Sequence, residues 1–305
     1  MRLLTAIAVA VLMMPATALA SDLDELLADG RDANYSAEQI ITCSTPEGAK
    51  DSVVRIRQNG GDLYVAASVP SDVEVTSGYG GWTLSLAGSV VASTALDGSG
   101  IEAEPRYEVD EGTPAAFLGR RVTLYEMRDG DLLRAHLMFD NEVGALMKAI
   151  TYSDDGDVYC ERRFIAFDPS PPPLSFVRRA DAEVVIDEQE VDSSLPEELA
   201  GFHRLDEYAE DGLTFAYYSD GFFSFAVFET DVVVDMDQGA RVAINDGEYR
   251  RAFSPGQVTF VWETRSGGMA LIGDLPPDMH EEVLDELPAP GRVGWWGRLW
   301  RGLFG

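Results

Sequence analysis

Along most of this chain apolar residues alternate with polar ones in short runs. Gly-Gly, Ser-Gly, Asn-Gly and Asp-Gly pairs punctuate the runs. A period of two puts one face of a strand in a core and the other in water, and such dipeptides favour tight turns. The first half predicts strands at Gln39–Ser44, Ser52–Gln58, Leu63–Val69, Val73–Ser77, Trp82–Leu86 and Ser89–Thr94. It continues with Arg120–Met127, Leu132–Phe139, Ala145–Tyr152 and Val158–Phe167. A helical stripe of Leu23, Leu26 and Leu27 precedes them, with Ser21 or Asp22 as its cap. The reading is an antiparallel meander with a helix at its start. The Asp-Gly turns at Asp129-Gly130 and Asp155-Gly156 lack the ligand order and terminal Glu of a calcium-binding helix–loop–helix, so they read as hairpin turns.

The second half repeats the pattern. Strands are predicted at His203–Glu207, Thr214–Tyr218, Phe222–Glu229, Ala240–Ile244, Glu248–Phe253, Gln257–Thr264 and Gly268–Gly273. Tyr218-Ser219-Asp220-Gly221 lies between two aromatic runs and predicts a β-hairpin, Thr214–Tyr218 against Phe222–Phe228. Pro276-Pro277 opens a helix from Asp278 to Leu287, and Pro288 and Pro290 stop it. The proline run after Asp168 separates the halves as stiff chain, and the acidic run Glu183 to Asp192 extends the connection, with an edge strand as one reading of it. The expected organisation is a signal peptide at 1–20, a first domain at 21–168, a linker at 169–194, a second domain at 195–288 and a tail at 289–305.

Arg2, the apolar run Leu3 to Met14 and Ala18-Leu19-Ala20 make a secretory signal with cleavage after Ala20. No cysteine follows it, so a lipid anchor is not indicated, and no later run approaches the ~20 apolar residues of a membrane span. Export places Cys43 and Cys160 in an oxidising compartment, where an even pair reads as a disulfide joining the first strand of its domain to the last. The formal net charge is −30. A surface so acidic opposes nucleic acid and anionic lipid; it serves solubility, with an acidic docking surface as the alternative.

Catalytic signatures are missing from the sequence. There is no nucleophile elbow, zinc-protease helix, phosphate loop or dinucleotide fingerprint. His136, His203 and His280 are scattered, and no cofactor or metal is expected. The last stretch departs from the rest: Trp295, Trp296, Arg298, Trp300, Arg301 and Phe304 stand in a segment without acids. That composition suits a membrane interface or a partner groove; a disordered tail or a strip docked on the chain's own acidic body is the alternative, and its glycines weaken a helix.

Several ordered motifs resemble the RseB/MucB family of periplasmic regulators of envelope-stress sigma factors. They are Leu118-Gly119-Arg120, Leu132-Leu133-Arg134 with Phe139-Asp140 and Gly144-Ala145-Leu146, and Leu195-Pro196 with Gly201-Phe202. Tyr218-Ser219-Asp220-Gly221 before Phe225-Ala226-Val227-Phe228 is the most specific; Gly239-Ala240, Val258-Thr259-Phe260-Val261 and Gly273-Asp274-Leu275-Pro276-Pro277 close the series. Val143 and Ala145 depart from the family's pattern, and extra residues separate Pro196 from Gly201.

The resemblance implies an α+β, mainly β protein: a LolA-like incomplete antiparallel barrel with covering helices, then a smaller mixed domain. It implies no enzyme. It implies a periplasmic negative regulator that binds the periplasmic part of a membrane anti-sigma factor, shields it from site-1 proteolysis, and is released by lipid or another envelope signal. Homo-oligomers fit the same reading. A lipid or lipoprotein carrier using the barrel hollow is the alternative. For acyl chains the expected positions are Leu84, Leu86, Leu124, Met127, Leu137, Phe139 and Met147; for the anti-sigma contact they are Tyr218, Phe222, Phe223 and Phe225. Ordinary core packing competes with both assignments.

Overall fold

In a computed structural model of the chain, the described residues are 23, 25–27, 29–30, 33–46, 48–59, 62–67, 73–78, 81–86, 89–94, 106–172, 195–210, 212–231, 239–245, 247–254, 257–265 and 267–291, with backbone alone at 59–94, 208, 210 and 254. The stretch expected as a signal peptide, most of that expected as a linker, the acidic run and the expected tail from residue 292 lie outside them, as do the side chains of Leu84 and Leu86.

The first sheet contains β1 (Asn34–Thr45), β2 (Gly48–Asn59), β3 (Asp62–Ala67), β7 (Glu108–Val109), β8 (Thr113–Phe117), β9 (Arg120–Asp129), β10 (Leu132–Asp140), β11 (Leu146–Tyr152) and β12 (Val158–Asp168). Its order is β3-β2-β1-β12-β11-β10-β9-β7, with β8 also on β9, and every pairing is antiparallel. Pairing follows the sequence except at β7, which pairs β9 past β8, and at β1 and β12, which join the two meanders. At that join Cys43 stands opposite Cys160, and the two form a disulfide across 117 residues. The outermost strands do not meet, so the sheet stays open among the described residues. A separate sheet holds β4 (Val73–Gly78), β5 (Gly81–Leu86) and β6 (Ser89–Thr94).

The second large sheet runs β13-β14-β15-β16-β20-β19-β18-β17. Its strands are β13 (Glu198–Leu199), β14 (Phe202–Glu210), β15 (Leu213–Ser219), β16 (Ser224–Thr230), β17 (Ala240–Ile244), β18 (Gly247–Ser254), β19 (Gln257–Glu263) and β20 (Gly268–Gly273). The helix Pro277–Glu286 packs Met279, His280, Val283 and Leu284 inward and ends before Pro288, where Leu287 is extended. At the other end of the chain, positions 23, 25–27 and 29–30 are helical, as the leucine stripe predicts. Gly144 (φ +76°) sits against this segment: a Cβ there would meet Asp29 at 3.0 Å.

One apolar core runs between the two large sheets. Leu23 and Leu27 from the helical segment, Tyr107 just before β7 and Val109 within it, and Met127, Leu137 and Phe139 from β9 and β10 join Phe202, Tyr218 and Phe225 of the second sheet and Phe223 of its β15–β16 loop. A smaller cluster lies around Tyr35, Val122, Met147 and Phe164. Strands β7 and β8 are absent from the sequence-based expectation: β7 has two residues, and β8 (Thr113–Phe117) carries Pro114, which marks an edge strand or none. The aromatic hairpin differs too. Ser219 pairs with Ser224, so Phe222 and Phe223 belong to the loop between β15 and β16 and not to the second strand. The Asp220 carboxylate causes this by accepting the backbone N–H groups of both residues.

Candidate functional site: a polar seam between the two sheets

The loop at Asp220 is built by its own side chains. Ser219 Oγ donates to the Phe223 carbonyl at 3.0 Å and accepts from the Gly221 N–H at 3.1 Å. Asp220 Oδ1 accepts from the amides of Phe222 and Phe223 at 3.0 and 2.8 Å. Gly221 takes φ +96°, which a side chain rarely permits. The other carboxylate oxygen, Oδ2, points to the first sheet. It accepts a short hydrogen bond from the Tyr107 hydroxyl and lies 3.5 Å from Arg106 Nη1.

Arg106 and Tyr107 enter β7, where alternation turns Tyr107 and Val109 inward and Glu108 outward. The Tyr107 ring meets Phe222 and Phe223 edge-on, with centroids 6.3 and 6.1 Å away. The Arg106 guanidinium is held by Asp129 at 3.1 Å and lies over the Tyr107 and Phe202 rings. Burial raises the Asp220 carboxyl above its ordinary value against the opposing pull of Tyr107, the two amides and Arg106. Burial, then the Asp220 charge, pushes the Tyr107 hydroxyl far up, so it stays a donor.

Two further ion pairs cross the seam. Arg134 of β10 reaches Asp278 at 2.6 Å, and Arg162 of β12 reaches Asp274 at 2.9 Å. In all three crossings the first sheet supplies the cation and the second the carboxylate. Lys50 of β2 also lies 5.0 Å from the centre of the Phe253 ring. The arrangement has the electrostatic complementarity of a docked interface. It holds two bodies together through groups that hydrate readily on separation.

Two motifs behind the family resemblance therefore face this seam: Ser219-Asp220-Gly221, and Asp274 with the prolines that lead to Asp278. A third works elsewhere. Arg120 grips Asp140 through two hydrogen bonds of 2.5 and 3.0 Å, while Asp140 accepts the amides of Glu142 and Val143. Burial opposes the charge on Asp140, but Arg120 and those amides hold its carboxyl below the usual range. That motif staples the β10–β11 turn.

The expected contact residues are placed differently from a docking surface. Tyr218, Phe223 and Phe225 are 0%, 1% and 1% exposed, and only Phe222 is half-buried. Tyr218 stacks on Phe225 at 5.1 Å and donates to the Pro196 carbonyl at 2.7 Å. In this conformation the aromatics hold the core together. The expected acyl-chain positions do not form one group either. Met127, Leu137 and Phe139 line the shared core, Met147 lies in the cluster around Tyr35 and Phe164, and Leu124 is half-buried. Alternation identified them as apolar faces but not what covers each face. The sequence reading missed Arg106, Tyr107 and Arg162, and it quoted Arg134 only as part of the Leu132-Leu133-Arg134 motif without a role at a joint. The available signal was small: an inward Tyr107 and Val109 in the otherwise polar stretch 104–112.

No family model and no curated protein matches the chain. Solved structures do. The arrangement of both sheets is that of a two-part, mainly β protein with a MucB-like fold. A crystal structure of MucB in complex with MucA(peri) is 18% identical, covers 87% of this chain and 96% of that one, and has a TM-score of 0.50. A structure of MucB by itself, also 18% identical, covers 87% of this chain and 95% of its own at TM-score 0.51. A LolA superfamily protein from Nitrosomonas europaea aligns at 10% identity over 51% of this chain and 95% of that one, with a TM-score of 0.26.

Proposed function

We propose that the chain is a periplasmic negative regulator of an envelope-stress sigma factor. It binds the periplasmic part of a membrane anti-sigma factor and shields that segment from site-1 proteolysis. A lipid or another envelope signal releases it. The supporting observation is the MucB-like fold, which extends over 87% of the chain and takes in both sheets. In this reading residues 21–168 and 195–288 act as two domains, and 169–194 links them after export by the signal at 1–20.

The work is binding and population shift, not bond chemistry. The anti-sigma segment docks where the second sheet meets the first, with Phe222 at the rim and Tyr218, Phe223 and Phe225 holding the hairpin rigid beneath it. A releasing acyl chain competes for the apolar face of Met127, Leu137 and Phe139 by separating that face from the second sheet. The tail residues Trp295, Trp296, Arg298, Trp300, Arg301 and Phe304 keep the protein near the membrane surface where its partner sits.

The test is capture of the periplasmic segment of the anti-sigma factor encoded nearest to this chain. Binding by the mature protein supports the proposal. Transfer of acyl chains between donor and acceptor vesicles without capture of that segment overturns it in favour of a carrier.

A further inference from the structure

We infer that the Arg106–Tyr107 strap is a built-in competitor for the loop of the second sheet. It occupies, within the chain, the place that an aromatic, hydroxyl-bearing side chain of an extended partner peptide takes when the sheets part. For the partner's identity this rests on the regulator proposed above; for the strap it rests on the geometry of the seam.

Tyr107 makes the contacts of a recognition side chain. Its ring packs edge-on against the touching pair Phe222 and Phe223, and its hydroxyl donates to a buried carboxylate. Asp220 divides its oxygens accordingly. Oδ1 serves the amides of its own loop, so the loop keeps its form without the strap, while Oδ2 is left for a donor from outside the sheet.

The strap itself is short and has neighbours in the sheet on one side only, β9. Strand β7 is two residues long and lies at the sheet's edge, where Glu108 pairs with Arg128 and Val109 with Met127 of β9. Beyond those pairs, Asp110 exchanges hydrogen bonds with Glu126 of β9, and Arg106 reaches Asp129 at its end. Closure is also imperfect. Arg106 Nη1, Arg134 Nε and Asp278 Oδ1 are buried at the seam without a hydrogen-bond partner among the described residues. Separation hydrates them, which offsets part of the cost of uncovering the apolar core. Such a strap lowers the apparent affinity of an outside peptide by the fraction of molecules in which the loop is free. Weakening the strap therefore raises affinity, the opposite of what an ordinary truncation at an interface does.

The experiment uses the full mature chain, as wild type, Tyr107→Phe and Tyr107→Ala. Its first probe is a synthetic peptide of residues 104–112 of this same chain, supplied in trans. Binding to Tyr107→Ala at least about tenfold tighter than to wild type, and lost when the peptide's own tyrosine is replaced by alanine, is expected. Equal binding to both proteins, or none to Tyr107→Ala while hydrogen exchange shows its β15, β16, β19 and β20 ladders intact, overturns the inference. If Tyr107→Ala does not fold, Tyr107→Phe decides. Its amides at 106–110 and 220–224 then exchange at least about threefold faster with the ladders unchanged; unchanged exchange at those amides overturns the inference. The second probe is the anti-sigma periplasmic segment, expected to bind Tyr107→Phe more tightly than wild type. Equal or weaker binding overturns the competition. Binding to neither protein refutes the regulator, and the strap is then judged on the first probe alone.

Discussion

Replacing Arg134 by methionine leaves Asp278 charged at the seam with its partner removed. The two groups stand 2.6 Å apart, with 4% and 13% of their side chains exposed. At that separation and an effective dielectric near 20, the gross attraction is about 6 kcal/mol, most of which offsets desolvation. Removing one partner of a buried pair costs about 3–5 kcal/mol because the survivor stays buried and charged. Asp278 also lies in the first turn of the helix Pro277–Glu286, where a negative charge is favoured, so Asp278→Leu loses a further fraction of about 1 kcal/mol. The double variant Arg134→Met/Asp278→Leu removes both charges and adds apolar surface to an apolar seam. It should be only about 1–2 kcal/mol less stable than wild type, giving a coupling of at least about 2 kcal/mol in urea denaturation. Single losses that add to within about 0.5 kcal/mol of the double refute the claim that this pair joins the two sheets.

Other outcomes follow from separate parts of the fold. Burial depresses the His280 imidazole to about 3, so the folded chain holds it neutral while the unfolded chain protonates it near its ordinary value. Its contribution is fully present above about pH 6.5 and is lost as the pH falls toward 3, about 2 kcal/mol between pH 7 and 5. Urea midpoints at those two pH values check this, and His280→Gln should flatten the difference. Replacing Cys43 and Cys160 by alanine opens a loop of 117 residues and lowers stability by roughly 4–5 kcal/mol, measured by denaturation without reductant. Gly144→Ala places a side chain at φ +76° and against Asp29, and should cost about 1–2 kcal/mol, read as a lower melting temperature.

What the sequence disclosed was local. Alternation and Asp-Gly turns located the hairpins, because both signals act over a few residues. The compartment argument paired Cys43 with Cys160 because no other cysteine competes for either. Long-range relations were hidden. Nothing in Arg106-Tyr107 announces a partner in Asp220, 113 residues away. The aromatic run after the loop read equally as surface and core, and the N–H groups that Asp220 captures shifted Phe222 and Phe223 out of the strand. Met127 and Met147 fit the same apolar pattern, yet the bulge where Phe139 pairs with Leu146 lies between the faces that they fill. The motifs that resembled a family were more informative about joints than about docking: Asp220 and Asp274 carry the seam, and Asp140 carries a turn.

The central claim is protection of an anti-sigma segment by occupancy. The most direct measurement is the rate at which the site-1 protease cleaves that periplasmic segment, with and without the mature chain at saturating concentration. The account predicts that cleavage slows in proportion to the fraction bound and recovers when acyl-bearing lipid is added. Cleavage at an unchanged rate while the segment is fully bound contradicts it.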